Sequence, residues 1–331
     1  MELKYFHYAD QQTINTHCNS REGESKLGET VSFGINWKVA QAQFVVLGIQ
    51  ESIGVKANLG IAGTHSAWDA YLSSFLNVQH TDRLNGSNIH ILGAFDFSAF
   101  ADINASVNDY REATEKMDEQ VFPVIEEIIA AGKTPIIIGG SHANAYPIIK
   151  GAFLGKNRKP IHVINMDAHA DFRRKEGRHS GNPFRFAKEA GFMEKYTMLG
   201  LHENYNSQAM LTDMAKHKDI HHYFWEDIFL RNKISFDDAF QDLVEITQGS
   251  CGIELDLDSV EGVLSSAMSP SGFSSTQARQ FAYRCGRQTE ATYLHLCEAS
   301  SQLENSLSSG TTGKLLSYLV TDFIKGVSEK N

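Results

Sequence analysis

Cysteine is scarce in this chain: four in 331 residues, at Cys18, Cys251, Cys285 and Cys297, with no CxxC spacing. That excludes a disulfide scaffold and a thiolate zinc cluster, and predicts free reduced thiols, with Cys251 and Cys297 in buried strands. Positive charge is also short. Thirty Lys and Arg against forty Asp and Glu leave a net charge of −10, and no basic run offers a nucleic-acid or anionic membrane surface. No apolar stretch approaches a membrane span, and the first residues, Met1-Glu2-Leu3-Lys4-Tyr5-Phe6, lack the apolar segment of a signal peptide. The expectation is a cytoplasmic protein. The six prolines form no linker and no repeat is visible, so one domain over residues 1–331 is expected, with 42% hydrophobic residues to fill a large core.

What is present are apolar runs at residues 44–49, 89–93, 135–138, 161–166, 196–200, 251–257 and 292–297. Helical patterns lie between them; the clearest carries Val121, Val124, Ile125, Ile128 and Ile129 on one stripe before Gly132. Continuous apolar strands alternating with helices predict an α/β protein, a mainly parallel sheet covered on both faces. Residues 8–40 read as irregular. Leu264 to Ser275 reads as a loop, either a solvated connection or the wall of a site.

Three of these runs end in chemistry. Residues 161–166 lead into Asp167-Ala168-His169-Ala170-Asp171, residues 251–257 carry Asp256 and Asp258, and Thr134 to Ile138 runs through Gly139-Gly140-Ser141 to His142. Were the strand to continue through residues 167–171, Asp167, His169 and Asp171 would share one face. Ligand sites of open α/β sheets lie beyond the carboxyl ends of the strands, where all three clusters fall. Acceptor groups crowded together repel unless a cation sits between them. Four Asp and two His exceed the needs of one ion and suit two, about 3.5 Å apart. Carboxylates with imidazoles favour Mn²⁺, with Fe²⁺, Co²⁺, Ni²⁺ or Zn²⁺ as alternatives. A capped loop after a strand would explain one such motif; three agreeing strand ends favour the metal.

In this order, the GGxH turn, the DAHxD strand end and the later DxD strand end resemble those of the ureohydrolases: arginase, agmatinase and formimidoylglutamase. Gly54 to Gly63 is similar to the same family's glycine-rich loop. The resemblance implies a three-layer α/β/α fold with an eight-stranded, largely parallel sheet, and two Mn²⁺ per subunit. His142 and Asp171 would bind one ion, His169 and Asp258 the other, with Asp167 and Asp256 bridging. A bridging water with lowered pKa would attack the C=N carbon of a linear amidine or guanidine. Glu298 would orient the cationic substrate, and Asp171 would pass a proton to the departing nitrogen. Relatives form trimers or hexamers, which implies a homo-oligomer.

The departures narrow the substrate. Arginase and agmatinase read GGDH where this chain has Ser141, and HGxP where it has His179-Ser180-Gly181-Asn182-Pro183-Phe184. His179, one residue early, is a candidate acid–base group or a loop histidine. The Ser-Gly-x-Pro-Phe pattern and Arg173 look more like formimidoylglutamase, whose substrate has two carboxylates that a guanidinium can clamp. Asn204 and Asn206 are candidate contacts for the substrate's α-groups, or turn and cap residues before a helix near Ser207. The expected activity is hydrolysis of N-formimidoyl-L-glutamate to glutamate and formamide, in histidine degradation. The alternatives are arginase, agmatinase or a guanidino-acid hydrolase with the same mechanism, a one-metal deacetylase of the same architecture, and a catalytically silent member.

Overall fold

The computed structural model describes residues 4–101 and 105–330. Ten strands form one sheet: β1 Phe6–Tyr8, β2 Ser32–Phe33, β3 Phe44–Gln50, β4 Ile89–Asp96, β5 Thr134–Ile138, β6 Ile161–Met166, β7 Met193–Leu201, β8 Ile220–Phe224, β9 Ser250–Asp256 and β10 Glu290–Cys297. Their order is β1-β4-β3-β5-β10-β9-β6-β7-β8, with β2 pairing on β4. Strands β3 to β10 are all parallel, the eight that were expected; β2 adds two parallel residues and β1 an antiparallel edge.

Strand alternation divides the interior into two apolar cores. Phe44, Val46, Ile136 and Ile138 face helices 67–75, 236–246, 275–288 and 312–328. Val45, Leu47, Ile49 and Ile137 face helices 107–130, 145–155 and 183–189. The helix Val107–Ala130 starts where Ser106 and Asp109 cap each other, buries Val121, Val124, Ile125, Ile128 and Ile129, and gives way to Gly132 at φ +74°. Residues 8–40 hold short elements, including the helix Gln11–His17. All four cysteines are free, three of them buried. No helix among the described residues is long and apolar enough to cross a membrane.

An arginine–aspartate pair is buried in the interior. Arg178 is 1% exposed; its Nε donates to Asp118 on the 107–130 helix at 2.8 Å, Nη2 donates to the Ala143 carbonyl at 2.7 Å, and the guanidinium lies over the Tyr146 ring. It ties the loop after β6 to that helix. Asp118→Ala leaves the guanidinium buried and unpaired and is expected to cost about 3–5 kcal/mol, read from the urea midpoint. Asp118→Leu with Arg178→Met should recover most of the loss. An unchanged midpoint in the single variant would show that the pair carries no such constraint.

Candidate active site

The four central, adjacent strands deliver the site: β5 leads to His142, β10 to Glu298, β9 to Asp256 and Asp258, and β6 to Asp167, His169 and Asp171. The motif after β6 is not a continued strand. The strand ends at Met166, Asp167 Oδ1 accepts the His169 N–H at 2.7 Å, and Asp171 sits at φ +44°. After β9, Asp256 Oδ1 likewise accepts the Asp258 N–H at 2.9 Å. The side chains converge through two Asx-type turns, in place of strand alternation. The turn after β5 needs Gly140 at φ +73°, since a Cβ there would lie 2.5 Å from Asn144 Nδ2.

His142 Nδ1 stands 2.9 Å from Asp171, 3.1 Å from Asp256 and 3.3 Å from Asp167. His169 Nδ1 stands 3.2 Å from Asp258 and 3.6 Å from Asp167. Two potential ion-binding groups result: His142, Asp167, Asp171 and Asp256; and Asp167, His169 and Asp258. Asp167 belongs to both, as a bridging ligand must, while Asp256 falls only in the first. Among the described residues, His142 Nδ1 and Asp258 Oδ1 are buried without a hydrogen-bond partner, and lone pairs so arranged fit divalent cations. Carboxylate and imidazole donors without thiolate suit hard to borderline ions such as Mn²⁺.

Crowding shifts the acids apart. Burial, reinforced by Asp167, pushes Asp171 up to about 6. Burial pushes Glu298 up to about 8, and holds Asp256 well above the usual range together with Asp258 and Asp167. For Asp167 burial is outweighed by His142 and His169, which hold it at about 2. His169 is raised: burial works against the charged ring, but Asp258 and Asp167 overcome it. Acids with raised native values bind more protons folded than unfolded above about pH 4, and a raised histidine loses its stabilising charge as pH climbs. The contribution of these groups to stability under chelation should therefore fall from about pH 5 to about pH 8, and the stabilisation given by saturating Mn²⁺ should grow with pH, because ligation favours deprotonated groups. Urea midpoints with and without Mn²⁺ across that range check this; a metal-induced gain that does not grow with pH would contradict it.

These groups open into a cleft of about 470 Å³, also lined by Asn58, Arg173, Ser180, Tyr205 and Ser266. The loop after β9 thus forms part of the wall, through Ser266 and Ala267. Arg173 is half exposed, its Nη1 donating to Asn58 Oδ1 at 2.8 Å and its Nη2 to Glu176 at 2.6 Å. Glu298 is buried at φ +61°, and its Oε1 accepts the His142 backbone N–H at 2.7 Å.

Three sequence candidates lie elsewhere or are otherwise engaged. His179 is fully buried and does not line the cleft. Its Nδ1 accepts the Gly181 N–H at 3.1 Å, its Nε2 lies 2.8 Å from Asn182 and 3.3 Å from Glu176, and burial with Arg173 and Arg111 pushes it down to about 4. It braces its loop, with both ring nitrogens engaged there. Asn204 is exposed and outside the cleft lining. Asn206 borders the cleft, but its amide is spent on the backbone: Oδ1 accepts the Ala170 N–H at 2.9 Å, and Nδ2 donates to the Ala168 and His202 carbonyls at 3.0 and 2.8 Å. It splints the 167–171 loop, while the helix cap is Ser207.

Sequence reasoning also missed Glu51. This buried acid at the end of β3 accepts from Ser141 Oγ and Asn144 Nδ2, both at 2.7 Å, and from the Ile53 N–H at 2.6 Å. A carboxylate thus braces the GGxH turn although position 141 holds serine. Nothing local to the motif signals it, since 90 residues separate the two.

A family model for the arginase family matches residues 42–324, so the chain belongs to the arginase family. The formimidoylglutamase of Aromatoleum aromaticum is 30% identical over 175 residues, 50% of this chain and 49% of that protein, so the match spans about half of that relative. The formimidoylglutamase of Rhodococcus jostii is 24% identical over 84% of this chain and 85% of its own. The structure of Trypanosoma cruzi formiminoglutamase with Mn²⁺ superposes with a TM-score of 0.72 at 18% identity, covering 93% of this chain and 100% of that one, a likeness of fold.

Proposed function

We propose that the chain is a manganese-dependent hydrolase of linear amidines whose substrate is N-formimidoyl-L-glutamate. The observation that carries this reading is the pair of ion-binding groups sharing Asp167, opening into a cleft edged by Arg173. The similarity to formimidoylglutamases, one of them crystallised with Mn²⁺, supports it. His142, Asp171 and Asp256 would hold one ion, His169 and Asp258 the other, and Asp167 both. The ions would supply Lewis acidity and lower the pKa of the attacking water.

The protein's own groups do the rest. Glu298 faces the cleft, and a cationic amidine beside it favours the ionised carboxylate that burial alone disfavours. Arg173, its two arms held by Asn58 and Glu176, turns a guanidinium to the cleft that can meet a substrate carboxylate through the remaining N–H groups. Water adds to the amidine carbon, the bond to the glutamate nitrogen breaks, and that nitrogen leaves as an amine. Asp171, at the cleft beside the other acids, would take the proton released by the water and return it to that nitrogen. The products are formamide and glutamate.

Incubating the Mn²⁺-loaded protein separately with N-formimidoyl-L-glutamate, arginine, agmatine and 4-guanidinobutyrate tests the substrate. Formamide from the first alone is expected; urea from arginine at a higher kcat/KM would overturn the assignment while leaving the metal centre standing.

A further inference from the structure

Below the ligand layer lies a buried polar layer that ligand chemistry does not itself require. Glu254 on β9 is 0% exposed and sits two residues before Asp256, so both point to the same face. Its register partner on β10 is His295. His295 Nδ1 lies 2.6 Å from Glu254 Oε2, and the Tyr293 hydroxyl donates to Oε1 at 2.7 Å. The other flank of Oε2 faces His142, whose Nε2 is 3.6 Å away. Gly252, opposite Tyr293, leaves the space for this arrangement: a Cβ there would fall 2.4 Å from the tyrosine hydroxyl.

A carboxylate is costly to bury, and this one is placed between two imidazoles. His142 Nε2 has no hydrogen-bond partner among the described residues. Cys297 Sγ and a His295 ring nitrogen also group with a His142 nitrogen; Sγ donates to the Leu255 carbonyl at 3.7 Å and is a weak acceptor. Glu254 Oε2, 3.6 Å away, is the carboxylate oxygen that faces Nε2. An imidazole that gives its Nε2–H to a carboxylate keeps the Nδ1 lone pair free, and Nδ1 is the atom facing Asp167, Asp171 and Asp256.

We propose that Glu254, oriented by His295 and Tyr293, is a positioning residue for His142: it fixes the ring's orientation and tautomer, and so sets the affinity of one metal position without touching the other. This rests on the metal-centre reading above. His169, the histidine of the other position, is not in contact with this layer and faces Asp167 and Asp258.

The test uses the full chain, stripped by chelation and titrated with Mn²⁺ by calorimetry and by EPR. Wild type should bind two ions with a spin-coupled signal; if it binds none, the metal-centre reading itself fails. Glu254→Gln keeps the shape and presents an amide to His142. It should bind one ion as wild type does and the second about 10–100-fold more weakly. At sub-saturating Mn²⁺ the coupled signal should give way to that of an isolated ion, and kcat should fall with KM held. His295→Phe should act in the same direction, and His295→Asn, whose amide can replace the Nδ1–H donor, should restore affinity. Two ions bound at wild-type affinity in both Glu254→Gln and His295→Phe would overturn the proposal, whatever their thermal stability. If Glu254→Gln does not fold, the contrast between His295→Phe and His295→Asn decides: equal affinity in the two overturns it.

Discussion

Asp167→Ala is expected to abolish tight binding of both ions and to lower turnover by at least about 10³-fold, since water activation contributes several kcal/mol of the barrier reduction. The size follows from position. Asp167 is the one side chain in both ion-binding groups, and it lies within 3.6 Å of both ligand imidazoles. Its loss also removes the acceptor for the His169 N–H and for Asn165 Nδ2, which donates to Asp167 Oδ2 at 3.0 Å and also contacts the Tyr196 hydroxyl. The 167–171 turn loses its anchor together with its charge. Elemental analysis should read less than one ion per chain against two in the wild type. Asp167→Asn is the sharper variant: the side chain can still accept from His169 N–H, but the charge is gone, so the fold should hold while the ions are lost. Wild-type turnover in either variant would refute a shared-carboxylate centre.

Arg173→Met should lower kcat/KM for N-formimidoyl-L-glutamate by about 10–100-fold, the value of a charge-assisted contact of about 1.5–3 kcal/mol. Because the guanidinium lies away from the reacting carbon, the loss should fall mainly on KM. Half exposure argues for the lower end of that range. Arg173→Lys should recover only part, because an ammonium cannot present the planar fork that Asn58 and Glu176 align. An N-alkyl formamidine without carboxylates supplies the control, since its turnover should not distinguish Met from Arg. Equal losses on both substrates would show that Arg173 shapes the loop and does not clamp the substrate.

Much of the fold was legible because parallel strands buried on both faces must be continuous apolar runs. Phe44 to Ile49 and Ile161 to Met166 announce themselves in this way. Strand β8, Ile220-His221-His222-Tyr223-Phe224, did not: it lies at the sheet edge with four of its five residues half-buried, so nothing forces it to be apolar. The antiparallel β1 is too short to carry a pattern. Within the site, the six groups that converge were visible as strand-end motifs, whereas the means of convergence was not. Extended geometry through residues 167–171 was the natural reading, and the left-handed Asp171 that replaces it is a local choice stabilised by Asn206 and Tyr196 from elsewhere in the chain.

Glu254 shows how far local pattern reaches. It stands in the same alternation as Asp256 and Asp258, so an acid inside an apolar strand was a signal available for reading, yet its partners His295 and His142 are 41 and 112 positions away. His179 teaches the converse: its sequence suggests a candidate acid–base group or a loop histidine, and the structure buries it within its loop. The sequence alone determined the strand ends, the donors at each and the chemistry those donors suit, because periodicity and side-chain type act over a few residues. Only the tertiary structure decided that β5, β10, β9 and β6 stand side by side, which acids crowd enough to hold protons, and which of the nearby polar groups reach the cleft. Those outcomes depend on contacts between residues far apart in the chain and on the exclusion of water, and neither is a property of any local segment.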